Sequence, residues 1–236
     1  RYLSCMFCFR VNPDFVPFNP NQFTANSMYS AGYASIEMEY IKNLKSVIGL
    51  RVEQFQQRYT GRDQSGDNIL NNTKVLDDFN LFPTVNLVYA VNDTQNIRFS
   101  YSKTIARPSF KEMSFADIVD PLTGRSFTGG MFRDANEGVE YWSGKLVSSD
   151  IHNLDARWEL FQNKGQIFSV SSFYKKFINP IEMVQFASAA NAFQPRNVGN
   201  GDLLGVELEV RKNLSFLTSK LEKISFNANY TVTQSR

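Results

Sequence analysis

Cys5 and Cys8 form a Cys-x-x-Cys near the start of the chain. That spacing suits a redox dithiol or half of a tetrahedral zinc site, but zinc needs a second ligand pair. His152 is the only histidine and no further cysteine exists, so no metal or other cofactor is expected. A small disulfide loop or two plain apolar side chains are the remaining readings. A nucleophilic triad would have to recruit His152, which stands at a strand start with no nucleophile motif around it, so an enzyme is not expected. Asp63-Gln64-Ser65-Gly66-Asp67 alternates oxygen ligands like a calcium loop, yet it lacks the glycine and terminal glutamate at their EF-hand positions. It reads as a solvated loop.

Two further groups have the residue types for binding. Phe115, Asp117, Asp120, Phe132, Arg133, Asp134, Tyr141 and Trp142 share one long irregular stretch and set stacking surfaces beside hydrogen-bonding groups. Aromatic platforms with carboxylates suit sugars, and aromatic–arginine clusters suit anionic siderophores; equally, the rings can pack the loop against itself. Glu37, Glu39, Arg51 and Glu53, and later Glu207, Glu209 and Arg211, alternate with apolar residues. Charges at every second position belong on one face of a strand, where they pair across strands and brace an interior or line a ligand path.

The elements that must carry these groups follow from the same period of two. In the first, about 27–41, Ala34, Ile36, Met38 and Tyr40 alternate with Ser35, Glu37 and Glu39. Further strands are expected at about 44–58, 79–92, 96–104, 150–161, 166–178, 203–213 and 223–233. Short turns fall at Lys42-Asn43, Asn92-Asp93-Thr94-Gln95 and Gln162-Asn163-Lys164-Gly165. Long irregular stretches fall at 59–75, 105–149 and 179–201, with an intermediate link at 215–222. The connections therefore run short, long, short, long. A soluble sandwich has no physical reason to lengthen every second loop, whereas a transmembrane barrel has tight turns on one side and long loops on the other. Trp158 and Tyr40 then belong on the lipid side or in an interfacial aromatic girdle.

Composition agrees. The 236 residues are 42% hydrophobic with a net charge of +2, and no basic stripe points to nucleic acid. Mean hydropathy is −0.31, and no run nears the roughly 18 apolar residues of a membrane-spanning helix. Barrel strands show lipid only every second residue and average out as mildly polar.

The stretch Ile97-Arg98-Phe99-Ser100-Tyr101-Ser102-Lys103-Thr104-Ile105-Ala106-Arg107-Pro108-Ser109-Phe110-Lys111-Glu112 resembles the barrel of TonB-dependent receptors, particularly those of Bacteroidetes. Leu81-Phe82-Pro83-Thr84-Val85-Asn86-Leu87-Val88-Tyr89, Asn153-Leu154-Asp155-Ala156-Arg157-Trp158-Glu159 and Ser171-Ser172-Phe173-Tyr174-Lys175-Lys176-Phe177-Ile178-Asn179-Pro180-Ile181-Glu182 fit the same pattern in order and spacing. The resemblance covers about 31–230 and implies an all-β fold, an antiparallel transmembrane β-barrel of about 22 strands in full. Roughly eight of those strands are expected here. Residues 1–26 form a loop or extracellular segment, and 27–236 form strands joined by short periplasmic turns and long extracellular loops. The chain opens at Arg1 without a signal peptide and closes on Thr233-Gln234-Ser235-Arg236 without a terminal aromatic residue, so it reads as an interior piece.

The resemblance also implies uptake of a scarce ligand (an oligosaccharide, a siderophore or similar) across the bacterial outer membrane, energised through TonB. Implied partners are the lipid bilayer and lipopolysaccharide, the TonB complex through a plug and TonB box absent from this chain, and a surface lipoprotein; nucleic acid is not among them. Glu37, Glu39, Arg51, Glu53, Glu207, Glu209 and Arg211 become lumen-facing charges, and the long loops become the place for ligand contacts. Rival readings are a non-transporting barrel acting as anchor, adhesin or structural subunit of an envelope complex, and a soluble carbohydrate-binding β-sandwich.

Overall fold

Runs of β-branched and aromatic residues at period two lose little by extending and gain cross-strand contacts, so they form long strands. The structure, a computed structural model, describes residues 18–133, 142–162, 165–186, 189–216 and 218–236. Its main feature is an eight-stranded antiparallel sheet. The strands are β1 (Thr24–Ile41), β2 (Leu44–Arg62), β3 (Ile69–Asn92), β4 (Gln95–Ala106), β7 (Ser149–Gln162), β8 (Gln166–Ile178), β11 (Asn200–Asn213) and β12 (Ser225–Ser235), paired in that order. The sheet does not close on itself: β1 and β12 form its two edges among the described residues.

At one end the strands are joined tightly. Asn43 takes the left-handed conformation (φ 71°) that a two-residue turn demands, and its carbonyl accepts from the Ala90 N–H at 2.8 Å, tying the turn to β3. Thr94 closes the next turn on the Asn92 side chain, and its carbonyl accepts from the Phe161 N–H at 2.7 Å. Gly165, at φ 73°, serves the third. Two 3-10 turns, Leu214–Phe216 and Ser219–Leu221, occupy the link between β11 and β12.

The register keeps each strand's two faces consistent across the whole sheet. One row runs Ile36, Ile48, Val85, Tyr101, Leu154, Tyr174, Leu204, and the row one residue along runs Glu37, Val47, Asn86, Ser100, Asp155, Phe173, Gly205. Every second row is thus apolar, and the apolar rows are the exposed ones: Ile36, Leu204 and Phe226 are each 54% exposed, and Phe79 and Tyr230 each 65%. Leaving such a side chain in water forgoes about 1.5–3 kcal/mol each, a loss that disappears when the solvent is hydrocarbon. A contiguous face of them is a lipid-facing wall.

The first long connection differs from expectation. Residues 59–75 read as a polar loop, but β2 continues to Arg62 and β3 begins at Ile69, leaving 63–68 as the tip. At the end of the expected strand 44–58, Gln56 and Arg58 stand opposite Asp77 and Lys74 where the apolar face would be, so alternation fades there while the backbone ladder goes on into 59–75. Bulges between Gln57/Arg58 and Tyr59/Gly61 add twist.

The other two long stretches, expected to be irregular, also contain strands. β5 (Asp117–Val119) and β6 (Ser126–Thr128) lie between β4 and β7, and β9 (Ile181–Phe186) and β10 (Ala189–Asn197) lie between β8 and β11. They form one four-stranded sheet in the order β5-β6-β10-β9, with β6 and β10 parallel. Two of these strands have only three residues each, too short to show a period. The core sits where residues 107–148, the first of the two long loops beyond the β2–β3 hairpin, cover the polar face: Phe55, Tyr59 and Leu76 from β2 and β3 pack with Met113, Met131 and Leu146.

Candidate functional site

The polar face carries two ion networks. In the first, Glu53, 8% exposed, accepts from Arg51 Nε at 2.7 Å and from Arg107 Nη2 at 2.9 Å. Arg107 also donates to the Tyr29 hydroxyl at 3.0 Å and lies over the rings of Phe55 (4.6 Å) and Tyr29 (5.2 Å). Its Nε is 4.0 Å from Asp78 Oδ2, which the Ser148 hydroxyl also reaches. Arg107 follows β4 directly and Ser148 precedes β7 directly, so the first long loop is pinned at both ends to the β2–β3 pair.

The second network spans β4 to β11. Arg98 and Arg157 face each other across β4 and β7, a costly opposition relieved by Glu159, which binds Arg98 at 2.7 Å and Arg157 at 2.9 Å. Arg157 then reaches Glu209 at 2.6 Å, where the Ser169 hydroxyl adds a bond of 3.4 Å.

The seven charges expected on one face are placed there by the register. Glu37 pairs with Lys45 at 2.6 Å in an exposed contact, and Glu39 stands opposite Lys45. Arg51, Glu53 and Glu209 belong to the networks above, while Glu207 and Arg211 share the face of Glu209 along β11. Arg98, Arg107, Arg157 and Glu159, which join the same networks, were not among the seven, although Arg98, Arg157 and Glu159 alternate with apolar neighbours in the sequence just as the chosen ones do.

The loop residues separate into two groups. Phe115 meets Tyr59 edge-on at 6.1 Å, its N–H donating to the Tyr59 hydroxyl at 3.4 Å. The Trp142 indole donates to the Gly130 carbonyl at 2.7 Å and, like Phe115, packs on the loop core. The backbone N–H and C=O of Asp117 are both bonded to the Asn21 side chain at 2.9 Å, and its carboxylate accepts from Thr128. Asp120 caps its own turn: bonds from the Thr123 hydroxyl (2.6 Å) and the Leu122 N–H (3.0 Å) hold its carboxyl below the usual carboxylate range. These four build the loop.

Phe132, 45% exposed and edge-on to Phe186, and exposed Arg133 present their groups outward. Arg133 lines a cleft of about 630 Å³ together with Phe115, Met131, Lys145, Asp67 and Asp77, between the β2–β3 tip and the first loop. Lys145 was not singled out in the sequence, and Asp67 stood out only for the calcium-like spacing of residues 63–67. Asp134, Tyr141, Cys5 and Cys8 lie outside the described residues.

The Asp63 segment is self-contained. Its carboxylate accepts from the Gly66 N–H (2.7 Å) and from the backbone (3.2 Å) and side chain (2.5 Å) of Asn68. Burial pushes this carboxyl up, but the bonds from Asn68 and Gly66 outweigh it and its pKa is lowered. Those oxygens organise the hairpin tip.

A sequence model of the family described as "TonB dependent receptor-like, beta-barrel" matches residues 7–236. No curated protein sequence gives a significant match. Among solved structures, the copper transporter OprC superposes with a TM-score of 0.63 at 13% identity, over 90% of this chain and 30% of that one. The ferric citrate transporter FecA in its unliganded form gives 0.59 at 15% identity, over 91% and 27%. The alcaligin outer membrane receptor FauA from Bordetella pertussis gives 0.53 at 12%, over 91% and 31%. At such identities the likeness is one of fold, and this chain spans less than a third of the length of each.

Proposed function

Because this chain belongs to the TonB-dependent receptor-like β-barrel family and so resides in the bacterial outer membrane, we propose that it forms wall, lumen lining and outer loops of a transporter that takes up a scarce ligand with energy relayed by TonB. The family is one of receptors and transporters rather than enzymes. The observation that carries the reading is the two-faced sheet: exposed apolar rows on one side, ion networks on the other, and a long loop folded over the charged side. A wall between lipid and an aqueous lumen requires that division.

In this reading Glu37, Glu39, Arg51, Glu53, Glu207, Glu209 and Arg211 face the lumen, where the pairs Arg51–Glu53 and Arg157–Glu209 brace it. Ligand is met first at the loops, through Phe132 and Arg133 beside the cleft, with an oligosaccharide or siderophore-like chelate as the class that rings and cations suit. A plug and TonB box elsewhere in the full protein engage TonB; the bilayer, lipopolysaccharide and a surface lipoprotein are the other partners.

The test is uptake by cells making the full protein, with radiolabelled ferric siderophores and maltooligosaccharides as probes. Accumulation of one probe that stops when TonB is deleted or a protonophore is added supports the proposal. Accumulation indifferent to both, or an envelope defect without any accumulation, supports a barrel with an anchoring or structural role instead.

A further inference from the structure

The two long loops, 107–148 and 179–199, are joined by more than the parallel β6–β10 pair. Gln194, in β10, is fully buried, and its Nε2 donates to the carbonyls of Gly129 (3.0 Å) and Phe132 (2.8 Å) on the other loop. Its Oε1 accepts from Arg196 Nε at 2.9 Å, and the Arg196 guanidinium lies 5.2 Å from the Phe186 ring and 5.9 Å from that of Trp142. Asn197 repeats the arrangement at the far end of the loop: its side chain accepts from the Val147 N–H at 2.8 Å and donates to the carbonyls of Val147 and Asn179.

The recipient backbone is shaped for this contact. A Cβ at Gly129 would stand 2.1 Å from the Ser114 carbonyl oxygen, and one at Gly130 2.5 Å from Leu146. With the chain pressed that closely against its neighbours, its buried carbonyls cannot turn to water and must find donors. Two of the donors are the N–H groups of one side chain from the other loop.

We propose that Gln194 is a positioning residue that yokes the two loops into a single cap, so that Phe132 and Arg133 are held in place by the opposite loop. The yoke itself depends only on these contacts; its consequence for ligand rests on the receptor reading above. The described parts of the two loops that meet at Gln194 therefore loosen together and not singly.

The experiment is hydrogen–deuterium exchange on the full protein in detergent. The reporters are the amides of Gly129, Gly130, Met131 and Phe132, bonded to the carbonyls of Ala116, Glu112, Ser114 and Gly129 respectively. Gln194→Met keeps the length without donors, and Gln194→Glu replaces the donors with oxygen. Both should raise exchange about tenfold or more in 126–133 as well as 189–197, with β7 and β8 unchanged. In a Cys5→Ser, Cys8→Ser background, a disulfide formed between Ser126→Cys and Ala192→Cys, which are partners in the parallel pair, should restore protection to Gln194→Met and release it under reductant.

Exchange confined to 189–197, or a formed disulfide that restores nothing, overturns the yoke. Loosening of both loops with ligand uptake unchanged upholds it and removes the ligand role from Phe132 and Arg133.

Discussion

Arg107 Nη2 lies 2.9 Å from Glu53 Oε2, joining the first residue after β4 to the middle of β2. Both side chains are about nine-tenths buried, at 11% and 10% exposure, and Arg51 shares the same carboxylate. The contact ties the start of the 107–148 loop to the polar face of the wall.

Removing Glu53 leaves buried Arg107 with only the longer 4.0 Å contact to Asp78 as counter-charge. Glu53→Ala is expected to cost about 3 kcal/mol in the full barrel, and Glu53→Gln, which keeps one acceptor, clearly less. Urea unfolding in detergent measures the difference, and limited proteolysis should nick the 107–148 loop first. Equal stability of wild type and Glu53→Ala would refute the anchoring role.

Trp142→Phe keeps the ring and loses the bond to the Gly130 carbonyl. It should cost about 1 kcal/mol and increase exchange at the neighbouring Met131 amide. An unchanged loop would mean that packing alone places the indole.

Asp63 gives a pH dependence with a definite sign. Its pKa in the folded protein is lowered, so its contribution is complete above the unfolded-state value of about 4 and disappears as pH falls through the folded-state value. Exchange at the Gly66 and Asn68 amides should therefore be slow at neutral pH and speed up below the ordinary carboxylate range, beyond the intrinsic pH trend. Asp63→Ala should show the fast behaviour at every pH; a tip equally ordered in that variant would sink the explanation.

Arg133→Ala and Phe132→Ala should each weaken ligand binding by about tenfold, while Asp120→Ala, whose carboxylate only caps its own turn, should leave affinity unchanged. Titration of the full protein with whichever probe cells accumulate decides the matter. The opposite pattern would move the binding surface to the β5–β6 turn.

The eight long strands were legible because their two faces differ in chemistry at successive residues, as in Leu204, Val206 and Leu208 against Gly205, Glu207 and Glu209. Signal was lost wherever that division ends. Gln56 and Arg58, at the end of the expected strand 44–58 and opposite Asp77 and Lys74, already put polar groups on rows that are apolar nearer the turn, so the rest of the ladder, within 59–75, reads as a loop. The cap was illegible for another reason: Ala192 pairs with Ser126, and Gln194 meets Gly129, across stretches of chain that no local pattern connects. Ring type cannot distinguish a residue that packs a loop from one that awaits a ligand: Phe115 and Trp142 both pack on the loop core, and Phe115 also lines the cleft.

Cysteine labelling along β11 is the direct test that one face of the sheet meets lipid and the other an aqueous lumen. Single cysteines at Leu204, Val206 and Leu208, alternating with Glu207, Glu209 and Arg211, are placed in the full protein in vesicles, with Cys5 and Cys8 replaced by serine. A period of two is expected: a membrane-partitioned reagent labels the first set, and a charged, water-soluble reagent labels the second. Equal labelling of both sets by the water-soluble reagent would contradict it.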